Sequence, residues 1–316
     1  MLNRRNIRAK VMQEFYAMEQ AHENDLEKSV KRLRENLENI YKLYLLLLDL
    51  LVQIKNYDAD LIERRKKKYF KTEEDLHPNT KFIDNRLLRK LESNIRFQNL
   101  LEAYKLENIW KNEPEMLRHF LEKIKSSALY EKYIAHPGQN FDEDKKFIME
   151  IYKNLIAPDE KLHQFLEDWE INWADDVAIA NTMVMKTLDR MQEDSGAHTG
   201  IPGLYKDEED EAFGKELLLR SWQNKEKLYE LIKQKTINWD FERISNVDKI
   251  LMALALAEFL YFPNIPETAT INEYVEIAKE FSTPKSNSFI NGILDKIYKE
   301  LKEKGTINKT YKTKNT

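Results

Sequence analysis

The chain has no cysteine among its 316 residues. That excludes disulfides, thiolate zinc sites and a cysteine nucleophile, and it fits a reducing, cytoplasmic setting. Glycine and proline are scarce, at seven and eight residues, which favours helices joined by short loops over a turn-rich sheet protein. A membrane-spanning helix needs about 20 apolar residues. The apolar segment Leu43 to Val52 is shorter than that and carries Asp49, so it is expected to be the buried part of a long helix. No apolar core follows the N-terminal arginines, so no signal peptide is expected. Gly-rich phosphate loops, nucleophile elbows and dinucleotide fingerprints are also missing. The reading is therefore a non-enzyme with no cofactor.

What is present is charge, at 34% of residues, and enough apolar content, 42%, for a packed core. The net charge of −4 says less than its distribution. Arg4, Arg5, Arg8 and Lys10 open the chain with no acid among them. Arg64, Arg65, Lys66, Lys67, Lys68 and Lys71 form a second basic run, and Asp207 to Glu211 an acidic one. The first helix is expected over Asn3 to Gln20, with Ile7, Val11, Phe15 and Met18 buried and Arg5, Arg8, Met12 and Tyr16 along one edge. A long second helix is expected from Asp25 to Lys68. Its basic end suits the negative pole of the helix dipole, with an RNA-backbone patch as the alternative use. Further helices are expected over Lys81–Tyr104, Glu115–Tyr133 and Glu143–Ile156, with a break at His136-Pro137-Gly138 and another from Asp194 to Leu204. The closing bundle is expected at 211–222, 224–235, 245–261, 268–281 and 286–303.

An internal repeat runs through the middle. Residues from Phe147 match residues from Phe213 at a constant offset of 66, with eight identities over 27 positions. Ile171-Asn172-Trp173 falls on Ile237-Asn238-Trp239. The expected role of the tryptophan is to plug a helix junction, its ring buried and its N–H on a carbonyl. Convergent amphipathic patterning is the competing explanation. Glu19-x-x-His22 and Glu160-x-x-His163 have the spacing of di-iron bundle ligands, but both lie near helix ends, and at this charge density chance spacing is easy. No metal is expected. His119, His136 and His198 are expected to be surface or loop histidines.

The most informative stretch is Ile265 to Ile297. Pro263 and Pro266 end one helix. Thr268 or Thr270 is expected to cap the next, with Glu273 in its first turn and Ile271, Val275, Ala278 and Phe281 buried. Ser286 or Asn287 is expected to cap the last helix, whose first N–H groups could take a phosphate. Gly292 inside that helix suggests close approach of a neighbouring backbone. The strings Ile271-Asn272-Glu273, Glu276 to Lys279 and Phe289 to Lys296 resemble the C-terminal signature of the NusB transcription antitermination family. Val247 to Leu251 and the opening Arg4-Arg5-x-x-Arg8 extend the likeness.

The resemblance implies an all-α fold of NusB-like helical bundles. It implies a factor that binds boxA-type single-stranded ribosomal RNA leaders together with NusE, a ribosomal small-subunit protein, within the RNA polymerase antitermination complex. It assigns RNA contact to Arg4, Arg5, Arg8, Lys285, Ser286 and Phe289, and places Tyr16 and Asp248 near the partner or RNA surface. Alternatives are an accessory role in ribosomal RNA maturation and a di-iron carboxylate bundle. Ala253 and Ala257 replace residues that relatives carry as Arg and Tyr. The expected organisation is N-terminal arginine-rich helices at 1–57, a helical insertion at 58–204 bearing the degenerate repeat, the NusB-like bundle at 205–304 and a disordered tail at 305–316.

Overall fold

The structure is a computed structural model that describes residues 1–67, 69–70, 72–136, 138, 140–236, 241–307 and 309–310. Among them there is no strand, so the fold is all-α. The helices are α1 (Arg4–Ala21), α2 (Leu26–Lys66), α3 (Glu73–Leu76), α4 (Arg86–Glu92), α5 (Ile95–Ala103), α6 (Pro114–Lys125), α7 (Ala128–Ala135), α8 (Phe141–Ile151), α9 (Glu160–Trp169) and α10 (Trp173–Arg190). They continue with α11 (Glu208–Gln223), α12 (Lys225–Lys233), α13 (Asn246–Tyr261), α14 (Glu267–Phe281) and α15 (Ser286–Glu303). No described helix is long and apolar enough to cross a membrane.

The chain divides into two compact units. One comprises Glu38–Leu204 with Met1, and the other Leu2–Leu37 with Tyr205–Thr316. One division falls between Leu204 and Tyr205. The other division lies between Leu37 and Glu38, inside the continuous α2, where the expected 57/58 also falls.

The 38–204 unit is built on the apolar run of α2, where Leu43 through Leu48 are fully buried. A helix apolar all round needs cover on every side, and polar tips from other helices find its carbonyls. Trp110 Nε1 donates to Leu46 O at 2.8 Å, and Trp173 Nε1 to Asn39 O at 3.0 Å. Trp173 is 3% exposed, the plugging role expected of it. Ile237-Asn238-Trp239 lies outside the described residues, as do Lys68, Lys71 and Pro137. Two helices expected to be continuous are each split by a capping side chain. Asn94 accepts from Phe97 N and starts α5, and Ser127 accepts from Tyr130 N and starts α7. Such caps satisfy amides that a helix start leaves open.

At the offset of 66, α8, α9 and α10 fall on α11, α12 and α13. Phe147/Phe213, Ile151/Leu217, Leu162/Leu228, Val184/Ile250 and Leu188/Leu254 are buried in both triplets. The packing partners also correspond. α10 packs on α8 and α9 as α13 packs on α11 and α12, and α4 packs on α8 as α1 packs on α11. Asp144 and Asp210, another identical pair at this spacing, are both buried. Asp144 accepts from Arg86 N at 2.8 Å, and Asp210 from Arg4 Nε at 2.6 Å.

In the second unit α13 is the central element. Every residue from Ile250 to Glu258 is fully buried, and α1, α11, α12, α14 and α15 surround it. Ser245 Oγ caps its start at Asp248 N. α1 lies close on α11 at Gly214, where an added Cβ would stand 2.8 Å from Ile7 Cγ2. Several expected details shift. α14 begins at Glu267 and buries Thr270, Tyr274, Ile277 and Ala278, a stripe rotated from the one expected, so Glu273 falls in its second turn. α15 starts at Ser286 without a side-chain cap. Gly292 is exposed with nothing within 4 Å of an added Cβ, so no neighbour explains it. Part of the tail expected to be disordered is tied down. Thr310 N donates to Pro263 O, and Lys309 Nζ to the carbonyls of Glu258 and Phe262 at the end of α13. Asn308 and residues 311–316 lie outside the described residues.

Candidate nucleic-acid interface

The three expected arginines do three different things. Asn3 caps α1 through a capping box with Asn6, which aims the first turn of α1 at α11, α13 and α14. Arg8 points inward and is 3% exposed. Its Nε and Nη2 grip the Glu258 carboxylate at 2.6 and 2.9 Å. Glu258 is fully buried and also accepts from Thr270 Oγ1 at 3.0 Å and Tyr274 OH at 2.8 Å. Four donors on two carboxylate oxygens satisfy its capacity. Burial works to lower the Arg8 pKa, but the Glu258 charge and hydrogen bonds raise it above its ordinary value. Burial, then the Glu258 charge, pushes the Tyr274 phenol well up. The cluster thus holds a buried ion pair beside a neutral phenol. The phosphate contact expected of Arg8 is corrected: its guanidinium is committed inside the fold.

Arg4 and Arg5 reach the surface. Arg4 pairs with Asp210 at 2.6 Å and Glu209 at 3.1 Å, and its guanidinium lies 5.2 Å from the centre of the Phe213 ring. Arg5 makes a two-point contact with Glu273 at 2.7 and 3.0 Å, which raises its pKa. Their side chains keep 30% and 38% exposure. Both border an open cleft of about 450 Å³ whose other wall is Asn264, Pro266 and Glu273. An incoming phosphate there meets guanidinium faces already aligned but must compete with carboxylates. The pairing roles of Glu258, Glu273 and Tyr274 escaped the sequence reading. Glu258 had a signal: it is the one charge in the apolar run Leu251 to Leu260, and a buried charge demands a partner.

The residues expected near the start of the last helix form a second group. Asp248 is 6% and Ser286 3% exposed. The Asp248 carboxylate accepts from Ser282 Oγ at 2.6 Å and Ser286 Oγ at 2.8 Å. Those bonds lock the starts of α13 and α15 to the end of α14, so both residues act inside the junction, a correction of the surface roles expected for them. Two of the amides expected to be free are engaged, Ser286 N with Thr283 O and Ser288 N with Asn287 Oδ1. Lys285 is exposed and Phe289 half-buried. Asp248 and Glu258 are ten residues apart on α13, so this group stands roughly 15 Å along the helix from the arginines. Tyr16, on α1, is 39% exposed.

The metal spacings bring no ligands together, and the described residues contain no group of three or more His, Asp or Glu able to hold an ion. Glu19 accepts from Tyr229 OH, and His163 contacts Ala157 O. His119, expected to be a surface or loop histidine, lies on α6 and meets Asp159 at 2.9 Å.

Residues 179–299 match the family model described as the NusB family. Three curated relatives are each named transcription antitermination protein NusB. The chain is 49% identical to that of Chloroherpeton thalassium over 23% of its own length, which spans only 35% of that protein. It is 37% identical to the Bacillus licheniformis protein over 30% of its length and 73% of the relative. No solved structure matches. Identity to the Salinibacter ruber protein is 34% over 42% of this chain and 86% of the relative, and by that match the chain belongs to the NusB family.

Proposed function

We propose that this protein is a transcription antitermination factor that binds boxA-type single-stranded RNA of ribosomal RNA leaders together with NusE, and so supports ribosomal RNA synthesis by RNA polymerase. Family membership supplies the reading. The observation that carries its RNA half is the pair Arg4 and Arg5, partly exposed and held in fixed geometry at the edge of an open cleft. In this reading Arg4 and Arg5 contact phosphate, and Lys285 and Phe289 add charge and stacking farther along the strand. Arg8, Asp248 and Ser286 are positioning residues that fix α1 and the α14–α15 turn. Tyr16 is the candidate NusE contact on α1.

The test is a titration of the protein, with and without NusE, against boxA-type RNA across salt concentrations. Replacing Arg4 and Arg5 together by alanine is expected to weaken binding and to reduce the slope of log K against log salt by about 1.4, two phosphates at ~0.7 each. Tyr16→Ala is expected to weaken NusE binding and leave RNA binding alone. An unchanged slope in the first variant removes these arginines from the RNA.

A further inference from the structure

The end of α2 has a feature that its own fold does not explain. Arg64, Arg65 and Lys67 are exposed, and none pairs with an acid among the described residues. Lys66 is bound to Glu63 at 2.6 Å. Cations at this end complement the helix dipole, which would account for the charges alone. It does not account for the two rings that follow. Tyr69 is 93% exposed and Phe70 86%, among the largest apolar exposures in the chain. They pack edge to face on each other, centroids 5.0 Å apart and planes at 82°. Burying an aromatic ring is worth a few kcal/mol in water, and here both rings forgo it.

We infer that this end of α2, in the 38–204 unit, is a second single-stranded RNA contact. Arg64, Arg65 and Lys67 neutralise neighbouring phosphates, and Tyr69 and Phe70 stack on unpaired bases. Charge complementarity requires a polyanion, and exposed rings beside cations are the arrangement that grips a strand without reading its sequence. Perpendicular rings cannot both stack within one continuous base pile, so the strand must be unpaired and splayed here. An anionic membrane fits less well. Glu73 follows within a few residues and is exposed, so a flat anionic surface would repel it, whereas a strand can run along Arg64, Arg65 and Lys67 alone. The inference extends the RNA-binding reading to a second place on the chain.

The experiment uses the full chain, a long unpaired uridine-rich RNA, a duplex of the same length, and vesicles with and without phosphatidylserine. Arg64→Ala with Arg65→Ala and Lys67→Ala is expected to reduce the salt slope on the unpaired RNA by about 2, three phosphates at ~0.7. Tyr69→Ala with Phe70→Ala is expected to weaken binding about tenfold or more at nearly constant slope. Both variants should melt at the parent temperature, because none of the five side chains is in the core. Equal affinity and slope in both variants overturns the inference. So does equal weakening on the duplex, or a loss confined to the phosphatidylserine vesicles, which would assign the patch to lipid. Arg4→Ala with Arg5→Ala separates the two sites. Parent-like binding in that variant alone sinks the arginine-face reading and leaves this one standing, and the reverse pattern sinks this one.

Discussion

Arg8 and Glu258 form a buried ion pair in the second unit. Breaking a buried pair strands the other charge, which costs about 3–5 kcal/mol. Arg8→Ala is therefore expected to lose that much stability in urea unfolding, while the protein that remains folded keeps its RNA salt slope. A lowered slope with unchanged stability would return Arg8 to the RNA face. Asp49 gives a pH dependence of its own. It is 1% exposed, one of its oxygens has no hydrogen-bond partner, and burial pushes its pKa up to about 7. In the unfolded chain the same carboxyl titrates near 4. Between those values the folded state holds the extra proton, so stability falls as pH rises from about 4 to about 7 and then levels off. Asp49→Asn is expected to abolish that fall and to gain on the order of a few kcal/mol over the parent at pH 8. Parallel stability curves for the two proteins would disprove it. The arginines were legible as a group from their spacing, but their partners were not. Arg8 lies 250 positions from Glu258, and no local pattern reports a contact at that separation.

At the scale of elements, two glycines make opposite demands. Gly214 lets α1 sit against α11, and alanine there meets a fully buried isoleucine. Gly214→Ala is expected to cost about 1–3 kcal/mol through overpacking. Gly292 has open space around it, so Gly292→Ala should stabilise α15 by about 0.5–1 kcal/mol. Thermal melts of the two variants should move in opposite directions. A fall in the melting temperature for Gly292→Ala would mean the helix needs that glycine after all. Helix positions were read well where apolar periodicity was long, as in α2 and α13. Errors collected at ends. Asn94 and Ser127 interrupt continuous patterns as caps, whereas Thr270 and Ser286, equally good cap residues, instead give their hydroxyls to Glu258 and Asp248. The residue type was the same in both cases, and the nearest unsatisfied group decided its use.

At the scale of the molecule, α2 passes from one unit into the other, so cutting at 57/58 would leave part of one unit attached to the other. Leu37 and Tyr205 line one small cleft of about 220 Å³, so a short linker can join them. Residues 2–37 so joined to 205–316 are expected to unfold in one cooperative urea transition. A gradual loss of helicity would show that this unit depends on 38–204. We propose that α8–α10 and α11–α13 share an origin, given their common order, spacing and buried positions. The sequence by itself determined the helical class and the family, because each is written in periodicity or in a local string. Only the tertiary structure decided which arginines remain at the surface. That outcome turns on where distant carboxylates come to rest, and a charge brought into the core must be neutralised by whatever packs beside it.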